Sequence, residues 1–396
     1  MSAGVAALAA EIFEAALAGL SPEERAADAL ARLDFGPGPV VVCALGKSAV
    51  PMAAGAVKAL GGQISGGVVV APAVREIDPR LQVVAGAHPV PDARSEAAAR
   101  ALFAAVSGSP RDGAVIALIS GGGSALAALP ALGLTLADKV AAISAVYAAG
   151  VAIGGLNAVR KHLSAVKGGR LGAAATAPVT TLISSDVVGD DPSTVASGPT
   201  VADATTFADA RQVIDDQVGW ARIPASVRAI LDEGRDETPK VSRPGDRVEV
   251  IAGIGALADA AAAAATARGL STRIRSRGHQ STVAELAEIL ATEARRLISG
   301  QCLVWAGETT LALVDHPGTG GRAHHLALSV AEKIRGVRGV CVLCAGSDGI
   351  DGNTRAAGAQ VTGESWDAIA RTGIDPAAAL VAQDSATALA AIGAQI

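Results

Sequence analysis

Aromatic side chains are nearly absent from this chain: four Phe, three Trp and one Tyr, 2% of its 396 residues. With a formal net charge of −5, that scarcity argues against a nucleic-acid surface, which needs basic patches and stacking rings. Cysteine is scarce too. Cys43, Cys302, Cys341 and Cys344 all sit in apolar runs, so buried reduced thiols are expected. Cys341 and Cys344 have metal or redox spacing, but Val-Cys-Val-Leu-Cys reads as a strand that sends the two thiols to opposite faces. No basic region precedes the apolar face of residues 3–20, so no signal peptide is read there. Residues 140–159 carry no charge; their Ala, Gly and Ser content is too weakly hydrophobic for a membrane span, and a buried helix is expected. What remains, 50% hydrophobic and 18% charged residues, describes a soluble cytoplasmic protein with core enough for two domains.

The chain is organised around residues 113–130. An apolar run, Ala114 to Ile119, reads as a strand buried on both faces. It breaks into Ser120-Gly121-Gly122-Gly123-Ser124 and resumes as an alanine-rich helix. Three glycines after a strand let backbone amides approach an anion, and the helix adds its positive end; a flexible turn is the plain alternative. Earlier, a strand at Pro39–Ala44 runs into Gly46-Lys47-Ser48 and a helix ending near Leu60. A P-loop needs glycine five positions before Gly46 and finds Val41, so that motif is absent. What is left is a lysine at a helix start, well placed for a phosphate or carboxylate. Strands at Gly67–Ala71 and Leu81–Ala85 and a helix at Arg94–Val106 continue the alternation, which implies a parallel sheet covered on both faces. Ligands of such sheets collect at the strand carboxyl ends, where Lys47, His88 and the Gly121–Ser124 loop all lie.

In residues 155–171, helical spacing puts Asn157, Arg160, Lys161, Ser164 and Lys167 within one arc while Val159, Leu163 and Val166 face away. No acidic partners interleave, so an anion-binding wall is favoured over a solvated face. A strand at Val179–Ser184 ends in Asp186, Asp190 and Asp191, carboxylates that can hold Mg²⁺ or act as a base, or that simply shape a turn. The polar stretch 234–247 is read as the boundary between domains 1–240 and 241–396. A second domain then opens with a strand at Val248–Ile251 and Gly253-Ile-Gly255-Ala-Leu-Ala258, a dinucleotide-like turn. The next strand ends in Arg275 and Arg277, with no acid for a ribose, so NAD is disfavoured and an NADP variant stays open. A strand at Leu303–Trp305 leads to Gly307-Glu308-Thr309, followed by a strand at Leu311–Val314. Gly318-Thr319-Gly320-Gly321-Arg322 then opens a helix, a second candidate phosphate cradle. Asp348 and Asp351 among glycines suggest a metal loop without EF-hand spacing.

Eight segments in order, GKSA at 46–49, GAHPVPD at 86–92, SGGGSAL at 120–126, LNAVRKHLSAVKGGRL at 156–171, SSDVVGDDPSTVASGPT at 184–200, AGETT at 306–310, GTGGR at 318–322 and AGSDGIDG at 345–352, resemble the bacterial-type glycerate 2-kinase family. The resemblance implies an α/β protein of two αβα-layered domains: a glycerate kinase N-terminal domain with a Rossmann-like parallel sheet, and a MOFRL-type mixed-sheet domain, with the active site in the cleft between them. It implies ATP- and Mg²⁺-dependent phosphorylation of the 2-hydroxyl of D-glycerate, with no nucleic-acid or membrane partner and room for a homodimer. Lys47 matches the family's catalytic lysine and Arg322 its phosphate-contacting arginine, with Asp186 as base. Gly121, Gly122, Gly123, Ser124, Asn157, Arg160, Lys161 and Lys167 would bind carboxylate or phosphate. Gly307, Glu308, Thr309, Gly320 and Gly321 would bind nucleotide, and Asp190, Asp348 and Asp351 metal. One departure stands out: similar sequences commonly read Gly-Arg-Asn-Gln-Glu where this chain has Gly321-Arg322-Ala323-His324-His325. A hydroxypyruvate reductase or an inactive metabolite-binding relative are the alternatives.

Overall fold

The computed structural model describes residues 2–396. Its contacts divide the chain into two units, Ser21–Gly253 and the residues up to Leu20 together with Ile254–Ile396. Helices α1 (Ser2–Ala18) and α2 (Pro22–Ala31) come first. The Ser21 side chain accepts the Glu24 N–H at 3.5 Å and Pro22 opens the helix, as the Ser-Pro-Glu-Glu pattern predicts.

The first unit continues with β1 (Val40–Leu45), α3 (Ala49–Leu60), β2 (Ile64–Ala71), β3 (Leu81–Ala85), α4 (Ala93–Ser107), β4 (Ala114–Ser120), the single turn α5 (Gly123–Leu126), α6 (Leu136–Ala148), α7 (Ile153–His162), α8 (Arg170–Ala173), β5 (Val179–Ser184), α9 (Phe207–Val213), α10 (Ala225–Glu233) and β6 (Arg247–Ala252). All six strands pair in parallel in the order β3-β2-β1-β4-β5-β6. Every residue of β1 and β4 is buried, as central strands covered on both faces require. The period of two divides β1 between the covering layers. Val41, Cys43 and Leu45 pack with Leu102 and Val106 of α4, while Val40, Val42 and Ala44 pack with Met52 and Ala53 of α3 and Leu30 of α2. A third cluster joins α6, α7, α9 and α10 through Val146, Val159, Phe207 and Val227. The charge-free stretch is not one buried helix but parts of two, interrupted at Gly150 with φ 72°, and each buries one face only, with Tyr147 and Ile153 exposed. Among the described residues no single helix is long and apolar enough to cross a membrane.

The second unit holds α1 with α11 (Ile254–Ala267), β7 (Ser271–Thr282), α12 (Val283–Arg296), β8 (Gln301–Thr310), α13 (Arg322–Lys333), β9 (Cys341–Ala345), β10 (Gly358–Thr362), α14 (Ser365–Arg371), α15 (Pro376–Val381) and α16 (Ser385–Ala390). Its strand pairing is mixed: β7 and β8 are parallel, β9 and β10 antiparallel. Leu286 and Leu290 of α12 and Leu326 and Val330 of α13 share its core. Burial pushes the Cys341 and Cys344 thiols up to about 12, which makes both poor nucleophiles and poor metal ligands.

Three sequence expectations change. The strand read as opening the second domain is β6, which pairs with β5 along Thr180–Ser184 and completes the first sheet, so the observed division falls after Gly253 instead of at 240. Helix α1 belongs with the second unit, where Arg268 of α11 donates to the Glu11 carbonyl at 3.3 Å. The strand expected at Leu311–Val314 is absent: β8 runs on to Thr310, and Leu313 and Val314 are exposed.

Candidate active site

In the first sheet, connections leave β1 and β4 toward opposite edges, which makes the space beyond their carboxyl ends the switch point where ligands bind. The loops after these two strands are joined there. The Lys47 N–H donates to the Gly121 carbonyl at 2.9 Å, and the Ser48 N–H donates to Ser120 Oγ at 3.0 Å. A Cβ on Gly121 would overlap the carboxylate of Asp186, which arrives from the end of β5. At Gly122, φ is 78°, and a Cβ would lie 3.1 Å from Lys47 Cγ and 3.2 Å from the His88 ring. Only glycine permits this approach and this conformation. Lys47, Gly121–Gly123 and Asp186 are thus brought together, and His88 joins them. Lys47 and Asp186 are both exposed, and among the described residues neither side chain has a hydrogen-bond or ion-pair partner. A free ammonium and a free carboxylate beside a glycine turn can neutralise an anion and accept a proton. Burial, then the charge of Lys47, pulls His88 below its ordinary pKa, with Asp186 acting in the opposite sense.

From the glycine turn a chain of hydroxyls leads inward. Ser124 Oγ and Ser197 Oγ are 2.7 Å apart, and Ser197 Oγ donates to Asn157 Oδ1 at 3.0 Å. Ala196 and Ser197 hold φ of 51° and 62°, conformations that cost energy and are retained where the surroundings over-determine them. Lys167 Nζ donates to the Ala127 and Ala196 carbonyls at 3.2 and 3.5 Å. Ser197 was not singled out from sequence; the only signal was a serine in a Ser-Gly-Pro turn. Lys161 does not join this group. It is buried and donates to Asp203 Oδ1 at 3.0 Å, and Asp203 also accepts from Thr205 and Thr238. Helix α7 stops at His162, so helical spacing cannot relate Lys161 to Lys167. The three acids after β5 also diverge. Asp186 faces Gly121, Asp190 lies against Gly253 with φ 51°, and Asp191 accepts the Ser193 N–H at 2.9 Å.

The second unit contains a cavity of about 1700 Å³. Its walls include Leu8, Phe13, Leu303, Trp305 and Val342, and its polar lining includes Gly307, Glu308, Gly320, Gly321, Arg322 and Asp348. Apolar walls with a few convergent polar groups are the usual form of a cofactor site. Arg322 Nη1 donates to Glu308 Oε1 at 2.7 Å and to the Thr309 carbonyl at 2.9 Å, with both charged side chains half exposed. The glycine loop before it is stapled: the Thr319 N–H donates to Asp384 Oδ1 and the Gly320 N–H to Asn353 Oδ1, each at 2.8 Å. Two of the amides expected to cradle phosphate are therefore already engaged. Asp351 does not behave as a metal ligand. Its carboxylate accepts the Ala323 N–H at 3.1 Å and the His324 N–H at 2.8 Å, and it lies 2.6 Å from His324 Nδ1, so it caps α13 and fixes a fully buried histidine. Asp348 is exposed and, among the described residues, accepts only the Ile350 N–H, at 3.3 Å. Mg²⁺ keeps several waters and needs one or two hard carboxylates beside substrate phosphates; Asp348 fits that requirement and Asp351 does not. Among the described residues no group of three or more His, Cys, Asp or Glu side chains forms a metal cluster.

Two families match: "Domain of unknown function (DUF4147)" over residues 8–232 and the MOFRL family over 301–396. The D-glycerate 2-kinase of Thermotoga maritima is 33% identical over 98% of this chain and 93% of its own length. The chain belongs to the glycerate kinase family. The crystal structure of glycerate kinase from Thermotoga maritima superimposes with a TM-score of 0.91, covering 99% of this chain and 95% of that one at 33% identity. The glycerate 2-kinase of Pyrococcus horikoshii is 33% identical over 90% of this chain and 83% of its own. A protein of Agrobacterium vitis named "Putative hydroxypyruvate reductase" is also similar, 40% identical over 96% of this chain and 88% of its own. The observed two-unit α/β architecture, a six-stranded parallel sheet and a unit of mixed pairing, agrees with the expected fold class.

Proposed function

We propose that this chain transfers the γ-phosphoryl group of ATP to the 2-hydroxyl of D-glycerate, giving 2-phosphoglycerate and ADP. The observation that carries this reading is the unpaired Lys47 and Asp186 on either side of the Gly121–Gly122 turn at the sheet's switch point. In such a reaction the new bond joins the substrate hydroxyl oxygen to the γ-phosphorus, the bridging bond to the β-phosphate breaks, and the hydroxyl proton must leave. Asp186 takes that proton, with His88, held toward its neutral form, as the adjacent acceptor. Lys47 neutralises charge gathering on the transferred group. In the second unit the nucleotide occupies the cavity, with its base among the apolar walls and Arg322 on its phosphates. Mg²⁺, when bound, neutralises phosphate oxygens, and Asp348 is the carboxylate that would hold it. Incubation with ATP, Mg²⁺ and D-glycerate tests the reaction: ³¹P NMR should show 2-phosphoglycerate and ADP growing together, and ATP left intact would reject it.

A reductase reading follows from the Agrobacterium vitis name and the Gly253 turn. It is disfavoured by Asp190, whose carboxylate lies over Gly253, where a pyrophosphate would have to approach. No NADH or NADPH oxidation with hydroxypyruvate is expected.

A further inference from the structure

Lys139 on α6 is 4% exposed and Lys167 2%, yet no carboxylate pairs with either among the described residues. Lys139 Nζ donates to the Leu129 carbonyl at 3.3 Å, an oxygen that already accepts the Ala165 N–H and the Ser164 hydroxyl, each at 3.1 Å. Lys167 reaches Ala127, two residues earlier. Ala127 is extended, with φ −126° and ψ 106°. The carbonyls that hold the two ammonium groups, Ala127 and Leu129, are two residues apart, so both groups are anchored on one short stretch of chain. The third cation is Arg160, half-buried on α7, which among the described residues has no hydrogen-bond or ion-pair partner. No acid answers them: Asp138, adjacent to Lys139, is turned to the Thr135 hydroxyl and N–H, and Lys161 keeps Asp203.

Burial and then Arg160 bring Lys139 down to about 7; burial, Lys139 and Arg160 push Lys167 well below its ordinary value. Beside Lys167, linked through Ser197, Asn157 Nδ2 is buried and has no partner. A buried donor left without an acceptor is destabilising, and so is a buried ammonium held only by neutral carbonyls; a complementary anion removes both penalties. The Ser124–Ser197–Asn157 chain ties this group to the glycine turn beside Lys47.

We infer that Lys139, Arg160, Lys167 and Asn157 form the pocket that receives the carboxylate of the acceptor substrate, leaving Lys47 and the glycine turn to the phosphoryl group. Lys139 is the residue that neither helical spacing nor family resemblance pointed to. The ligand's identity as a hydroxy acid rests on the kinase reading; the pocket's preference for a carboxylate does not. Selectivity follows: a polyol of the same size without the carboxylate leaves the pocket unsatisfied and binds poorly. Binding also carries a proton signature. Burial biases Lys139 toward its neutral form, and a carboxylate placed near it favours the charged form, so complex formation at pH 8 takes up protons.

The test is titration calorimetry of D-glycerate into the full chain without ATP, at pH 8, in two buffers of different ionisation enthalpy, with glycerol and inorganic phosphate as comparison probes. Wild type should bind D-glycerate with net proton uptake, glycerol should not bind, and phosphate should bind more weakly than D-glycerate. Lys139→Met should raise Kd at least tenfold and abolish the proton uptake while thermal stability holds or rises, because Met fills the same space without a buried polar head. That combination separates ligand binding from a structural role. Arg160→Gln, at a position that is only half-buried, should weaken binding similarly and serves if the lysine variant fails to fold. Wild-type affinity and proton uptake in both variants, tighter binding of phosphate than of D-glycerate, or no binding of D-glycerate to wild type would each overturn the inference. ATP turnover is assayed separately. Carboxylate binding lost in the variants with no turnover in wild type would leave the pocket standing and reject the kinase; turnover with unchanged KM for D-glycerate in both variants would do the reverse.

Discussion

At Gly121 the space of one carbon atom separates a working site from a displaced one. Any side chain there displaces the Asp186 carboxylate, so Gly121→Ala should lower kcat by at least tenfold in an ADP-release assay while circular dichroism stays native. Arg322 presents the opposite situation, an arginine that already has a partner. Its ion pair with Glu308 is half exposed on both sides, worth about 0–1 kcal/mol to stability. Glu308→Gln should therefore leave the melting temperature within about 2 °C and change KM for ATP; an unchanged KM would mean that this pair does not contact nucleotide. Glu237 supplies an acid-stability prediction. Burial alone would raise its pKa, but the amides of Thr238 and Phe207, with His162 and Lys240, outweigh it and bring the carboxyl down from 4.5 to about 2. A depressed carboxylate stabilises the fold above its unfolded pKa and loses that contribution as pH falls toward the folded one. Urea midpoints of wild type and Glu237→Gln should thus converge between pH 4.5 and 2 and differ at pH 6.

At the level of elements, most units of strand, loop and helix could be read from sequence, because apolar runs and small-residue turns are local signals; the apolar run at 311–314 is the exception, exposed and without a strand. The loops after β1 and β4 were readable for that reason, and with them Lys47 and Gly121–Gly123. Lys161 misled because helical spacing was carried past the end of α7, and nothing in a single sequence shows that Asp203, 42 residues away, claims its ammonium. Asp351 misled because a carboxylate among glycines looks the same whether it binds a metal or caps a helix. Its role at α13 is testable. Asp351→Asn weakens the acceptor for two backbone N–H groups and for the buried His324, a loss of roughly 1–3 kcal/mol, visible as a lower unfolding midpoint.

For the whole molecule, fold class was legible and unit membership was not. Periodicity says what an element is and not which sheet or core receives it. The exposed, polar 234–247 segment looked like a boundary, yet β6 lies beyond it and closes the first sheet against β5, while α1 leaves for the second unit. A fragment of residues 21–253 should accordingly unfold cooperatively. A fragment of 1–240 keeps an unneeded helix and lacks β6, and it should aggregate or unfold without a sharp transition.

The most direct measurement of the central claim is kcat for ATP-dependent phosphorylation of D-glycerate by Lys47→Ala beside wild type, with both proteins shown to share one circular dichroism spectrum. A free cation at the switch point that stabilises the transferring group predicts a loss of at least about 100-fold. A natively folded Lys47→Ala enzyme turning over at close to the wild-type rate would contradict the account.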